Sequence, residues 1–334
     1  SMPRPACLTS GAALCAALLS SGLLLAQATP VSTTPTPAVE CPSDTTAAGR
    51  VCNAALDAAT AMQPVAGLLI SGGNPEPGTA GAQGKFGHMR LTARVGLAQV
   101  TFADTHYLGT KAGDTVGAAK RLTLPAPRLD MAMGIFSKKL PMGSVAVDLL
   151  GSVLLLPTSA TTRIRVDPNA RQLGGLALGF GYGFRAALVP PSPKPMVSIS
   201  ALRRDLPTLY YGNVAAGDNY SYASNLKAIN VRLMVGARSK LLELSAGGGM
   251  DLYSGNSNIT YHDAVAGIDS TFTRPIKSSR IMTAFNAAFN FPIITLSGEL
   301  GFQVGKDEKL TTTFARNDTK AGKFYGGLGA TIRL

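Results

Sequence analysis

The sequence predicts an all-β chain: a transmembrane antiparallel up-and-down β-barrel of about 10 strands (range ~10–12), preceded by a short helical N-terminal segment. Three observations carry that reading. Apolar and polar residues alternate with period two through most of the chain after residue 85. The connections between the alternating stretches are short and long in turn. Mean hydropathy is high, +0.17, yet beyond the N-terminus no continuous apolar run is long enough for a spanning helix, and alternation produces that combination.

The alternation is cleanest at the C-terminal end. Ile281, Thr283, Phe285, Ala287 and Phe289 form one apolar or small face, Ile294, Leu296, Gly298, Leu300, Phe302 and Val304 a second, and Phe324, Gly326, Leu328, Ala330, Ile332 and Leu334 a third. Arg280, Asn286, Asn290, Glu299, Gln303, Tyr325, Thr331 and Arg333 fall between them. Successive side chains of a strand point to opposite faces, so each stretch has one greasy and one polar side. A soluble secreted β-sandwich would turn the greasy side inward and would need a partner layer for every such face. A membrane barrel turns it outward to lipid and faces the polar side to a lumen.

The first residues read as a targeting signal. Arg4 precedes an apolar run over 6–26, and Ala26-Gln27-Ala28 matches a cleavage site. Residues 1–28 are therefore expected to be a secretory signal peptide rather than structure. Ala12-Ala13-Leu14 before Cys15 is a poor lipobox. Cys41 and Cys52 remain after cleavage, in an oxidising compartment, and are expected to form a disulfide. No His lies near them, so no metal site is expected. The net charge of +12 comes from scattered Lys and Arg without a nucleic-acid motif, and an exported chain meets no nucleic acid. A basic exterior suits anionic lipid head groups.

Residues 29–84 are expected to form a linker and a disulfide-clipped helical segment. Thr, Pro, Ala and Ser dominate 29–46, which reads as flexible. Leu56, Ala59, Met62 and Val65 recur at three-residue steps among alanines, predicting a helix over 54–69. Pro64 is expected to shorten or kink it, and the turn formers Gly72-Gly73-Asn74-Pro75-Glu76-Pro77-Gly78 to end it. Such a segment is either a periplasmic foot or a plug folded into the lumen; its unpartnered apolar face favours the plug.

Residues 85–334 are expected to be the barrel. Strands are predicted over 86–102, 120–137, 144–156, a glycine-alternating stretch near 176–184, 195–211, a stretch ending at 237, and one from 242 to about 252, followed by the last three. Pro125 and Pro127 suggest a bulge in the second strand. In the fourth, Phe180, Tyr182 and Phe184 alternate with Gly179, Gly181 and Gly183; glycine on one face suits a curved wall with something crowded behind it. Gly247-Gly248-Gly249 likewise reads as curvature, since it lacks the strand-to-helix context of a phosphate loop. Residues 254–275, rich in Ser, Asn and Asp, read as a long loop. The connections at 138–143, 189–194, 238–240 and 290–292 are short, and those between them long and polar.

Over 86–334 the chain resembles the outer-membrane β-barrel proteins of Gram-negative bacteria. Gly329, Ile332 and Leu334 resemble their C-terminal assembly signal, departing from it in ending on Leu rather than Phe or Trp. Gly72-Gly73-Asn74-Pro75 and the Leu-Arg-Arg-Asp-Leu-Pro run at 202–207 also resemble an uncharacterised exported family of such barrels, a likeness that brings no function. The resemblance implies residence in the bacterial outer membrane, contact with outer-membrane lipid and lipopolysaccharide, and folding by the barrel-assembly machinery. No cofactor is implied.

The inferred lumen face carries Arg90, Arg94, Asp130, Asp148, Arg185, Arg232, Glu243, Asp251, Glu299 and Arg333. These charges are read either as a solute-selecting constriction or as a salt-bridge network that fills a narrow barrel. Tyr210, Tyr211, Tyr253, Phe291 and Tyr325 lie near strand ends and are expected in the interfacial girdles. His88, His106 and His262 show no catalytic arrangement, with only Asp263 and Asp269 near His262, so no enzyme is expected. Two functions remain from the sequence. One is a transporter or gated channel for small, including hydrophobic, solutes, with residues near Leu68, Leu69 and Ile70 beside a small hydrophobic ligand. The other is a closed-lumen structural or adhesin-like barrel acting through its long extracellular loops.

Overall fold

A computed structural model of the chain describes residues 40–158, 164–191 and 194–334. The expected signal peptide and residues 29–39 of the linker lie outside the described residues.

Each alternating stretch forms a strand, and ten of them among the described residues pair in chain order into a closed antiparallel barrel. They are β1 (Met89–Ala103), β2 (Ala118–Leu140), β3 (Gly143–Pro157), β4 (Leu176–Val189) and β5 (Met196–Asp205), then β6 (Lys227–Arg238), β7 (Leu242–Asp263), β8 (Ile268–Asn290), β9 (Ile294–Gln303) and β10 (Lys323–Arg333). Closure is made by β1 against β10, in register from Arg90 opposite Arg333 to Ala98 opposite Tyr325. Every wall strand therefore has two neighbours, which removes the open edges that lipid could not solvate.

The faces point as a membrane barrel requires. Phe180, Leu296 and Leu328 are 43%, 46% and 70% exposed, whereas Arg94, Glu243 and Glu299 are 4%, 2% and 4% exposed. An apolar exterior around buried charge inverts the order of a soluble protein and fits a barrel in lipid. The four short turns, between β2 and β3, β4 and β5, β6 and β7, and β8 and β9, share one rim. The long connections share the other, and β1 begins and β10 ends at the short-turn rim, where Met89 and Leu334 exchange main-chain hydrogen bonds.

Several local expectations are corrected. The stretch 254–275 is not a loop: β7 and β8 continue pairing out to Asp263 and Ile268, so a long hairpin projects past the rest of the wall. Above the lipid its outward side chains meet water, and the apolar half of the alternation disappears. The prolines of β2 cause no bulge; Leu97 and Val95 stay in register with Pro125 and Pro127. Pairing of β2 with β3 stops at Arg128 instead, and the irregularity falls between Gly134 and Phe136. A residue without an N–H is tolerated where the ladder is already ending. The fifth predicted strand ends at Asp205; Leu209–Tyr211 is a separate short strand.

The long connections are themselves structured. Tyr220–Ser224, then Leu209–Tyr211, then Ile164–Val166 add outward from the upper part of β7, and Thr115–Val116 pairs in parallel with Thr313–Phe314. The long-loop mouth thus carries a folded crown.

Helix α1 (Ala47–Ser71) precedes the barrel and runs 25 residues, longer than expected at both ends. The Thr46 hydroxyl caps it by accepting from the Gly49 N–H at 3.0 Å, and Gly72 stops it at φ 58°, donating its N–H to the Leu68 carbonyl. Pro64 lies inside the helix without ending it. The donor it removes is one bond, while packing holds the helix on every side, including at Asp57 and Gln63.

Candidate functional site

The inward-facing residues change character along the barrel axis. From the short-turn rim to mid-height they are charged. Toward the long-loop mouth they become apolar: Val100 and Phe102 on β1, Ile259 and Tyr261 on β7, Phe272 and Ile276 on β8. The N-terminal segment matches this division. Helix α1 packs in the apolar half with Val51, Ala54, Ala55, Ala58 and Val65 in one cluster with those wall residues. The extended stretch 72–84 threads the charged half.

Fit sets the composition of α1. An eight-stranded barrel has room only for its own side chains, and the two further strands here make room for a slim rod. Alanine and glycine provide one. At Gly67 an added Cβ would stand 2.3 Å from the Tyr253 ring, so the helix approaches β7 where no side chain intervenes. Alanine abundance, read from sequence as helix propensity, serves equally as a limit on diameter.

The charged half grips the chain that follows α1. Glu299 accepts the N–H groups of Gly73 and Asn74, each at 2.7 Å. Arg232 donates to the carbonyls of Gly73 at 2.9 Å and Gly72 at 3.1 Å, and pairs with Asp251 at 2.6 Å. Arg94 donates to the Asn74 carbonyl at 2.8 Å and pairs with Asp130 at 2.6 Å. Arg128 donates to the Ile70 carbonyl. Nearer the short-turn rim Glu76 pairs with Arg90 and with Arg185, each at 2.5 Å. Arg185 also pairs with Asp148, which accepts the Gln83 N–H at 3.1 Å. Thr79 donates to Glu243, which Arg238 holds at 2.9 Å. Wall charges and segment backbone thus meet most of each other's needs, as groups removed from water must, while Arg94 Nη2, Arg185 Nη1 and Arg204 Nη2 keep no hydrogen-bond partner among the described residues.

Nine of the ten residues expected in the lumen belong to this arrangement. Arg333 stays exposed at the rim, donating to Asn290 at 2.8 Å. The sequence reading omitted Arg128, Arg204 and Glu76. Arg128 shares the face of Asp130, two residues on, so its period was visible. Arg204 lies on the face of Ser198 and Ser200 and bonds Asn230 at 2.7 Å; two adjacent arginines hid which one turns in. Nothing local marks Glu76, which sits among turn formers. The expected girdle is corrected at three positions: Tyr211, Tyr253 and Tyr325 are buried at 5%, 2% and 3% exposure. Their hydroxyls explain it, since Tyr211 donates to the Ala103 carbonyl and Tyr253 to Asp251. Phe291 is exposed at the rim.

The segment enters from the long-loop mouth. Arg50, in the first turn of α1, donates to the Gly109 carbonyl at 2.6 Å, and Asp57 accepts from Thr311 and Thr312 at 2.8 and 2.7 Å; both partners are in long connections. The Cys41–Cys52 disulfide clips the chain to the helix at this end. At the far end Gly87 and His88 bond Gly134 of β2 near the short-turn rim. Among the described residues His262 Nδ1 lies 2.7 Å from Asp269 on the exposed hairpin, and His106 Nδ1 lies 3.5 Å from Asp218.

A closed, even-stranded antiparallel barrel with apolar residues outward and paired charge inward is the architecture of the outer-membrane β-barrel proteins of Gram-negative bacteria. No family model matches the chain, and no curated protein matches it. Among solved structures it is similar to the translocator domain of the autotransporter NalP from Neisseria meningitidis, with 10% identity over 85% of this chain and 98% of that one and a TM-score of 0.35. It is similar also to Ail, the attachment invasion locus protein of Yersinia pestis, in complex with a heparin analogue, at 11% identity over 75% and 100% and a TM-score of 0.27. The N-terminal β-barrel domain of Pseudomonas aeruginosa OprF matches at 11% identity over 75% and 98%, with a TM-score of 0.25. At these scores the likenesses carry no argument about function.

Proposed function

We propose that this protein is a closed-lumen outer-membrane barrel that acts at the cell surface, through its structured crown and the disulfide-clipped start of α1, rather than as a channel. The observation that supports this is the grip of the wall on residues 70–83. A gate must move, and breaking one buried ion pair by withdrawing a partner costs ~3–5 kcal/mol. Withdrawing residues 70–83 would strand Glu76 from two arginines and take two N–H groups from Glu299. A solute that turned a 1:99 equilibrium into 99:1 would supply about 5.5 kcal/mol of differential binding, less than two such pairs. The filled lumen therefore fits a permanent seal, and the exposed features left for interaction are those of the long-loop mouth. No catalytic role is part of this reading.

Planar-bilayer recording tests it. The wild-type barrel should give no conductance steps across the usable voltage range. Discrete openings in the wild type would establish a gated channel instead.

A further inference from the structure

A cavity lies between α1 and the wall, and its chemistry differs from that of the charged half of the lumen. It measures about 100 Å³ and lies between Ala59, Met62 and Ala66 of the helix and Val100, Leu124 and Leu154 of β1–β3. No residue that lines it is charged. One polar group at its border is unspent: Tyr222 is 4% exposed, and its hydroxyl has no hydrogen-bond partner among the described residues. The neighbouring Tyr211 hydroxyl is already committed to the Ala103 carbonyl at 2.7 Å. Of the cavity's other polar side chains, Ser224 is engaged with Ser257, Gln63 with Ile276 and Ser278, and Asn225 with Asn256.

We infer that this cavity is a binding site for a small uncharged molecule with an apolar body and a single oxygen acceptor, and that Tyr222 donates to that oxygen. A buried hydroxyl without a partner is costly, and an acceptor on a ligand relieves the cost in a way that a hydrocarbon cannot. The absence of charge excludes ionic ligands, because nothing in the lining would repay their desolvation. Size sets the class: an apolar cavity of ~150 Å³ takes up benzene, six heavy atoms, so about 100 Å³ suits a molecule of about four heavy atoms. The site lies beyond the closed-lumen reading and does not depend on it, because equilibrium binding is measured whether or not the barrel conducts.

The test uses the full mature barrel in amphipol with ¹³C-methyl methionine labelling, since Met62 lines the cavity. Acetone and its hydrocarbon isostere isobutene are titrated separately. Both should shift the Met62 resonance saturably. Tyr222→Phe should raise the acetone Kd about three- to tenfold, the range of one uncharged hydrogen bond, and leave the isobutene Kd unchanged. Comparing each ligand with itself across variants removes the difference in their solubility. Ala66→Leu, or Ala59→Leu if the first fails to give the heat-modifiable folded band, should abolish both shifts. Three results would each overturn the site: no saturable Met62 shift in the wild type, an acetone Kd indifferent to Tyr222→Phe, or binding that survives a folded cavity-filling variant.

Discussion

Glu299 and Arg232 hold the same residue from opposite sides: Glu299 accepts the Gly73 N–H at 2.7 Å, and Arg232 donates to the Gly73 carbonyl at 2.9 Å. One comes from β9 and the other from β6, with β7 and β8 between them in the wall. A backbone fixed by a carboxylate on one side and a guanidinium on the other has little freedom to slide. Gly73 also lacks room for a side chain, since an added Cβ would lie 2.7 Å from Ala284 Cβ.

Removing Glu299 should be expensive. Glu299→Ala leaves two buried N–H groups without an acceptor. The unfolding free energy should fall by about 3–5 kcal/mol, read from the denaturant midpoint of the heat-modifiable band. Loss below about 1 kcal/mol, the range of an exposed pair, would show that the segment is not held as described.

At the helix C-terminus, Gly72→Ala combines two penalties. A backbone at φ 58° and ψ −168°, a region essentially reserved for glycine, costs a residue with a Cβ about 1–3 kcal/mol, and that Cβ would fall 2.7 Å from the Tyr325 hydroxyl oxygen. The variant should expose residues 70–83 to protease in folded barrels. Wild-type resistance in Gly72→Ala would contradict the packing.

The disulfide acts on one half of the segment only. Cys52 is fully buried and Cys41 lies 11 residues before it, so its removal should release the outer turns of α1, at a cost of about 3 kcal/mol. Hydrogen exchange in a Cys41→Ser/Cys52→Ala variant should quicken over 47–61 and stay slow over 70–83. Uniform acceleration would mean that the grip of the charged half depends on the clip.

An outward charge tests orientation. Leu300→Arg, well inside β9 on its exposed face, should destabilise the barrel by about 2–4 kcal/mol in a bilayer, and the same change at Ile293, exposed at the short-turn rim, by about 0–1 kcal/mol. Equal tolerance in lipid would place this face away from the membrane.

The connection from β9 to β10 should respond to acid. The Lys309 N–H at 3.0 Å and Lys320 at 3.2 Å hold the Asp307 carboxyl below the ordinary carboxylate range. A depressed folded-state pKa gives order that is present above the unfolded value and lost as pH falls through the folded one. Lys309, at φ 51°, should therefore relax only below the usual Asp range, with its amide resonance following the Asp307 titration. Relaxation near neutral pH would point to another group.

Period two made the wall legible, because Leu296, Leu328 and Phe180 must all face one way in any paired strand. The same period placed Arg94, Asp148, Arg185 and Glu299 together before any contact was known. What stayed hidden depends on partners distant in sequence. Glu76 is unremarkable until Arg90 and Arg185 meet it. Tyr325 read as a girdle residue from its place near a strand end, although its alternation with Phe324 and Gly326 already turned it inward. The outer hairpin was lost because Asn256 and Asn258 stand in water, where alternation leaves no trace in composition. Ala126 and Leu154 gave no sign of a cavity, since voids depend on how a helix seats rather than on any residue's type.

The course of the N-terminal segment bears on biogenesis. Residues 40–46 emerge on the same side as the folded crown, while β1 starts at the opposite rim. During insertion this segment has to cross the bilayer, although in the finished structure its helix lies against the wall rather than in lipid. Either β1 and β10 zip together around it, or it is drawn up a still-hollow cylinder that then tightens on it. On the closed-lumen proposal the pore is a passing stage of assembly, and its first and last cargo is the protein's own helical segment.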